Sequence, residues 1–375
     1  MKKIGKEVAF LKTKKGNPRN GEGTFIRRKD GSLLHVYTEY FGDSWADQAT
    51  ANLSAVISCD EGETWSAPFI VLKKDETAQN YMSPSLLRLP NGEIGMVFLR
   101  KEEKETGLFL DGTKYVCMPV FIHSADEGKT WSEFSYCVTK DGYYCAINDG
   151  AIVQKNGRIA VPMSSHADDQ DDQVIIACSD DCGKSWYTLP HVFKNPFEGF
   201  VVGLAEPGLY EHEDGELWMY CRTMLGHQYE SRSNDNGKSW SPVIPNLYFT
   251  SPNSPMRVKK IGKYTVAVFN PLPANCLRDD YTGSGNIRRT PFVIAVSEDD
   301  GASFKSYTEF TSGKHMRSFS SRAFLLEDSR EDTYCYPSVI ETKDGFLVAY
   351  YHSDGGSYTL ASTKIAKVYF NEIKD

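Results

Sequence analysis

The segment Ala205-Glu206-Pro207-Gly208-Leu209-Tyr210-Glu211, followed by a Gly215 turn and then Leu217-Trp218-Met219-Tyr220-Cys221-Arg222, brackets two strand-like runs with an acid and a base. Arg222 closes an apolar run, where an unpaired charge would be costly, so the pattern places it at a strand end with a partner to find. A guanidinium offers a planar fork that matches a carboxylate through two parallel hydrogen bonds. Cys178 and Cys182 lie close enough to pair or to share a metal, but no second Cys/His pair with zinc spacing accompanies them, and neither a metal nor a cofactor is expected.

The elements that must position these groups are repeated ones. The pattern Ser-x-Asp-x-Gly-x-Ser/Thr-Trp/Phe occurs five times, beginning at Ser58, Ser124, Ser179, Ser233 and Ser297. A single match in a chain of this size has a chance on the order of one in a thousand. Each copy follows a short β-type run, which predicts a strand and then a hairpin turn. In that turn Asp caps the amides, Gly takes a positive φ, and the aromatic ring tucks beneath as an anchor. Upstream of each copy a Gly-led turn opens an apolar strand, at Gly31, Gly92, Gly157, Gly215 and Gly262, and a sixth at Gly345 has no box after it.

Six hairpins and five boxes predict an all-β fold: one domain over residues 1–375, a six-bladed β-propeller with four antiparallel strands per blade. A ring must close, and Glu7-Val8-Ala9-Phe10-Leu11 is the spare strand expected to complete the last blade. No helix-period segment of any length competes.

Composition agrees. Aromatics at 13% and 30 Gly among 375 residues favour strands and tight turns. A net charge of −8 argues against nucleic acid or an anionic membrane as partner. No apolar run approaches the roughly 20 residues that span a bilayer, and the amino-terminal segment has no apolar core of signal-peptide length. The nine scattered Cys read as free thiols in a reducing, cytoplasmic setting.

The boxes set the fold, and the chemistry must sit at the axis of the ring, on one or two residues per blade. Together with the segments around Glu206, Arg289 and Tyr336, the boxes resemble the sialidase (neuraminidase) superfamily over almost the whole chain. The resemblance implies hydrolysis that releases a terminal sialic acid or a related acidic sugar, with a small acidic sugar or a sialylated oligosaccharide as the partner. It also implies a Tyr nucleophile assisted by a Glu, an Asp acid/base, and three Arg residues clamping the substrate carboxylate. Sialidases are the tyrosine exception among glycosidases.

Carried over residue by residue, Glu206 would polarise the Tyr and Arg222 would be one clamp arginine. Arg289, eight residues before Ser297, would be another, with Arg288 as its neighbour in register. Tyr336 would be the nucleophile, with Tyr334 as its rival. Asp47 would be the acid/base, with Asp43 as its rival in the same loop.

The first clamp position departs from the family: Gly21-Glu22-Gly23 stands where an arginine segment is expected, with Arg19 two residues off. A Glu there would repel a carboxylate unless it is protonated or paired. The departure leaves open a modified acidic sugar, a different glycosidic substrate with Glu22 and Asp47 as a carboxylate pair, or a non-catalytic carbohydrate-binding propeller. Asn148 and Asp149, which precede an inner strand as Glu206 does, are candidates for sugar hydroxyls, as are His227, Gln228 and Arg257.

Overall fold

In a computed structural model, the protein is described at all residues except 111, 167–172, 195–202, 274–288, 306–320, 330–331, 354–359 and 375. The described chain is almost entirely β, with a 3-10 turn at Ala302–Lys305.

The repeat dictates the local structure. The strands Ala51–Ser58, Thr113–Ser124, Gln173–Ser179, His227–Ser233 and Phe292–Ser297 each end on the first Ser of a box. In the first box the Ser58 hydroxyl donates to Asp60 (2.8 Å) and accepts from the Gly62 amide (2.8 Å). Asp60 in turn accepts from the Thr64 amide (2.9 Å) and hydroxyl (2.6 Å). Gly62 takes φ +85°, which a Cβ would disfavour. The Trp65 indole N–H donates to the Gly62 carbonyl at 3.1 Å, so the ring is fastened to the turn that it supports. The hydroxyl and amide donors pull down the carboxyls of Asp60, Asp126, Asp181 and Asp235, the last two to about 2.

The Gly-led runs are the partners of these strands. Leu33–Tyr40 pairs antiparallel with Ala51–Ser58, Ile94–Leu110 with Thr113–Ser124, and Leu217–Arg222 with His227–Ser233. The expected closing strand is present: Lys6–Leu11 lies antiparallel to Ser362–Tyr369 at the edge of a four-stranded sheet that also holds Gly345–His352 and Tyr334–Thr342.

The sheets do not separate into six units of four. Two further four-stranded sheets, Ala205–Glu211 to Ile244–Thr250 and Arg257–Ile261 to Ser321–Glu327, stand beside one fourteen-stranded sheet. That large sheet is continuous because antiparallel meanders are bridged by single parallel pairings, Ala51 with Asn80 and Cys117 with Tyr143.

Apolar cores lie between neighbouring meanders rather than within one. Val36 and Leu53 of one pack against Leu86, Met96 and Phe98 of the next. Fully burying such a side chain stabilises by about 1.5–3 kcal/mol, so each sheet is held by the face of its neighbour.

Candidate functional site

Ten non-glycine residues among those described have positive φ, and they fall into two families. Glu61, Glu127, Cys182, Asn236 and Asp300 precede the box glycines. Glu22, Ser83, Asp149, Glu206 and Tyr336, with φ between 46° and 55°, each stand immediately before a Gly or Pro near the start of an inner strand. For Glu22, Ser83, Glu206 and Tyr336 the pairing register slips there, between Gly21 and Thr24, Met82 and Ser85, Ala205 and Gly208, and Cys335 and Ser338. A bulge re-aims one side chain out of the alternation, and a non-glycine residue in that region costs about 1–3 kcal/mol. The repeated polar-residue-then-Gly/Pro dipeptide is a signal legible in the sequence, and it would have pointed to Ser83.

These bulges converge on a cavity of about 80 Å³, whose walls include Glu22, Asp47, Ser83, Lys101, Glu206 and Tyr336. The Tyr336 hydroxyl donates to Glu206 Oε1 at 2.7 Å and accepts from Arg222 Nη1 at 3.1 Å. Arg222 Nη1 also lies 2.9 Å from Glu206 Oε2. Burial pushes the Tyr336 phenol up, with the Arg222 charge opposing, so the phenol is neutral and needs a base to become a nucleophile. The Arg289 guanidinium sits 5.5 Å from the Tyr336 ring centroid, with Nη1 on Cys335 Sγ (3.2 Å) and Nη2 on the Asn253 carbonyl (2.9 Å). Arg288 lies outside the described residues. Tyr334 instead packs its ring against Phe292 and Tyr350 in an inter-sheet core.

Arg19 anchors the opposite wall. Only 2% exposed, it donates to Glu22 Oε1 (2.6 Å), Asp47 Oδ1 (2.5 Å), the Tyr351 hydroxyl (2.8 Å) and the Trp45 carbonyl (3.2 Å). The other Glu22 oxygen accepts a short hydrogen bond from the Ser83 hydroxyl. The Glu at the first clamp position is thus paired with the nearby arginine. Burial raises the Glu22 carboxyl and outweighs Arg19. For Asp47, burial also works upwards, but the Arg19 and Lys101 charges exceed it and hold the carboxyl low. The Asp47 side chain keeps 58% of its surface accessible, at the mouth of the site. Asp43 is exposed on the same loop.

Asn148, Asp149, Gln228 and Arg257, expected near a sugar, lie behind the cavity wall, and each is at most 2% exposed. Asp149 accepts from the Thr24 hydroxyl (3.1 Å), Lys259 (3.0 Å) and the Val339 amide (3.3 Å), tying three sheets together. The Asn148 side chain donates to the Gly23 carbonyl (2.7 Å) and its own carbonyl accepts from Arg257 (2.8 Å). Gln228 donates to the Ser254 carbonyl (2.8 Å), and a His227 ring nitrogen faces the Asn246 carbonyl at 3.2 Å. A polar side chain that precedes an inner strand can serve the seam between sheets as readily as the pocket, and sequence does not separate the two. Lys101, missed in the sequence, lines the cavity at 1% exposure; it follows Arg100, which closes the apolar run Ile94–Leu99, and nothing in the sequence sets it apart.

Comparison with known proteins agrees with this architecture. The family described as BNR repeat-like domain matches residues 34–349. No curated protein matches. Among solved structures, a protein of unknown function from Dyadobacter fermentans is 18% identical, with a TM-score of 0.71 over 97% of this chain and 99% of its own. The NanB sialidase of Streptococcus pneumoniae is 12% identical, with a TM-score of 0.68 over 98% of this chain and 71% of that one. Trypanosoma rangeli sialidase, in complex with 2,3-difluorosialic acid as a covalent intermediate, is 16% identical, with a TM-score of 0.67 over 98% of this chain and 59% of that one.

Proposed function

Because the chain belongs to the BNR repeat-like family and has the sialidase fold, we propose that it is a glycoside hydrolase releasing a terminal sialic acid or a related acidic sugar. The observation that carries this reading is the Tyr336–Glu206–Arg222 constellation, closed at 2.7 and 3.1 Å on the wall of the cavity that Asp47 also lines. In this mechanism the Tyr336 oxygen attacks the anomeric carbon while Glu206 takes the phenol proton. The glycosidic C–O bond breaks as Asp47, in its protonated form, delivers a proton to the leaving oxygen; water then attacks the same carbon with Asp47 as base, the bond to the Tyr336 oxygen breaks, and Glu206 returns the phenol proton. A neutral phenol suits an anomeric centre that already bears a carboxylate, which would repel a carboxylate nucleophile.

Dividing the fourteen-stranded sheet at its two parallel bridges gives three meanders, and these with the three four-stranded sheets support a single six-bladed propeller. The free thiols of the eight described cysteines are compatible with a cytoplasmic protein acting on small imported oligosaccharides.

One observation favours a second reading. The Glu22 and Asp47 carboxyls are pushed in opposite directions around one arginine, which is how a carboxylate pair divides acid and base roles. On that reading Glu22 is the acid, and the substrate is a glycoside other than a sialoside.

The test is release of an aryl alcohol from an aryl sialoside and from a panel of neutral aryl glycosides, by wild type, Tyr336→Phe and Glu22→Gln. Turnover of the sialoside that vanishes in Tyr336→Phe supports the first reading. Turnover confined to a neutral glycoside and lost in Glu22→Gln supports the second. Binding of sialic acid without any turnover leaves a carbohydrate-binding propeller.

A further inference from the structure

We infer that Lys101 is the substrate-binding cation of this site, standing in for the clamp arginine that the Glu22 position lacks; the inference rests on the acidic-sugar reading above. Among the described residues lining the cavity, Lys101 is the only cation. The arginines are not among the lining residues: Arg19 is bonded to Glu22 and Asp47, Arg222 Nη1 to Tyr336 with Glu206 beside it while its Nε has no partner, and Arg289 to Cys335 and the Asn253 carbonyl.

Lys101 differs from them. It lies on the strand Ile94–Leu110, on the face it shares with Leu99, whereas Arg100 points the other way into Asp75 and Glu102. Its ammonium donates to the Asp47 backbone carbonyl at 2.8 Å and sits 5.2 Å from the Tyr143 ring centroid. No carboxylate among the described residues forms an ion pair with it. An ammonium has three donors, so this one keeps capacity directed at the cavity.

Holding the Asp47 loop does not account for the charge. The same carbonyl already accepts from the Asn80 side chain at 2.9 Å, and Asn80 also holds the Ala49 carbonyl at 2.8 Å. Asp47 feels this charge from beyond ion-pair distance, and a buried cation without a paired carboxylate is expensive unless a partner arrives. Lys101 therefore decides for an acidic over a neutral ligand.

The experiment measures binding of free sialic acid and of its uncharged methyl ester by calorimetry, to wild type, Lys101→Met and Lys101→Arg. A close charge pair out of water is worth a factor of ten or more in affinity. Wild type should prefer the acid by about tenfold or more. Lys101→Met, which keeps the stem and removes the charge, should cut that preference about tenfold while ester affinity changes by less than about threefold. Lys101→Arg should keep the preference, and it carries the test if the methionine variant does not fold. An unchanged preference in Lys101→Met, or its loss in Lys101→Arg, overturns the role of Lys101 and leaves the hydrolase reading standing. Wild type that binds neither compound overturns the acidic-sugar reading itself, and Lys101 with it.

Discussion

Tyr336 and Glu206 lie 130 residues apart, yet share a 2.7 Å hydrogen bond, and both hold left-handed backbone (φ 53° and 46°) immediately before a proline. Two strained bulges from different sheets thus deliver a phenol and its base to one point. Strain of this kind persists where the surrounding structure over-determines it, and here the sheets on either side do so.

Tyr336→Phe removes the nucleophilic oxygen and keeps the ring that Arg289 covers. The expected outcome is a fall in kcat of about 10²–10⁴, the range that attaches to a lost catalytic group, with ligand affinity retained. Stopped assays with an aryl sialoside, beside calorimetric binding, check this. Full activity in the Phe variant would remove Tyr336 from the reaction.

Arg19→Met should leave Glu22 and Asp47 as neighbouring carboxylates without their cation. Breaking a buried pair costs about 3–5 kcal/mol, read as a lower Tm at pH 7. The pH dependence has a definite sign. Without Arg19 the Glu22 carboxyl, already raised by burial, rises further above its unfolded value. A group raised in this way favours folding below the unfolded value of about 4.3 and loses that contribution as pH increases. The Tm deficit should therefore shrink between pH 7 and pH 4; a deficit that grows on acidification would contradict the pairing.

Asp149→Ala withdraws the acceptor shared by Thr24, Lys259 and the Val339 amide. We expect a loss of about 3 kcal/mol, because a half-buried ammonium, a buried hydroxyl and a buried amide are left without it. Denaturant titration measures this. Unchanged stability with a raised KM would instead return Asp149 to the ligand contacts.

Gly183→Ala tests a box. Its φ is +86°, and an added Cβ would fall 2.1 Å from Phe121 Cε1 in the neighbouring meander. Overpacking and backbone strain together should cost about 3 kcal/mol, whereas kcat per folded molecule should hold, since no residue of this box lines the cavity. A Tm equal to wild type would refute the packing assigned to that turn.

The sequence by itself carried the elements. Ser-x-Asp-x-Gly-x-Ser/Thr-Trp/Phe is a local device whose bonds run over at most six residues, so five strand ends and their turns could be read from spacing alone, as could the closing strand at Lys6–Leu11. Glu206, Arg222 and Tyr336 were singled out through the resemblance of their segments to the sialidase superfamily. The tertiary structure decided what those polar groups face. Glu22 and Asp149 share a left-handed backbone conformation before a glycine, yet one opens on the cavity and the other fastens three sheets. Arg19 turns its guanidinium to two carboxylates, and Lys101 presents a charge to the cavity that no motif announced. Such distinctions depend on how meanders dozens to hundreds of residues apart come into register. Side-chain periodicity along one strand gives its two faces but not which neighbour will cover each.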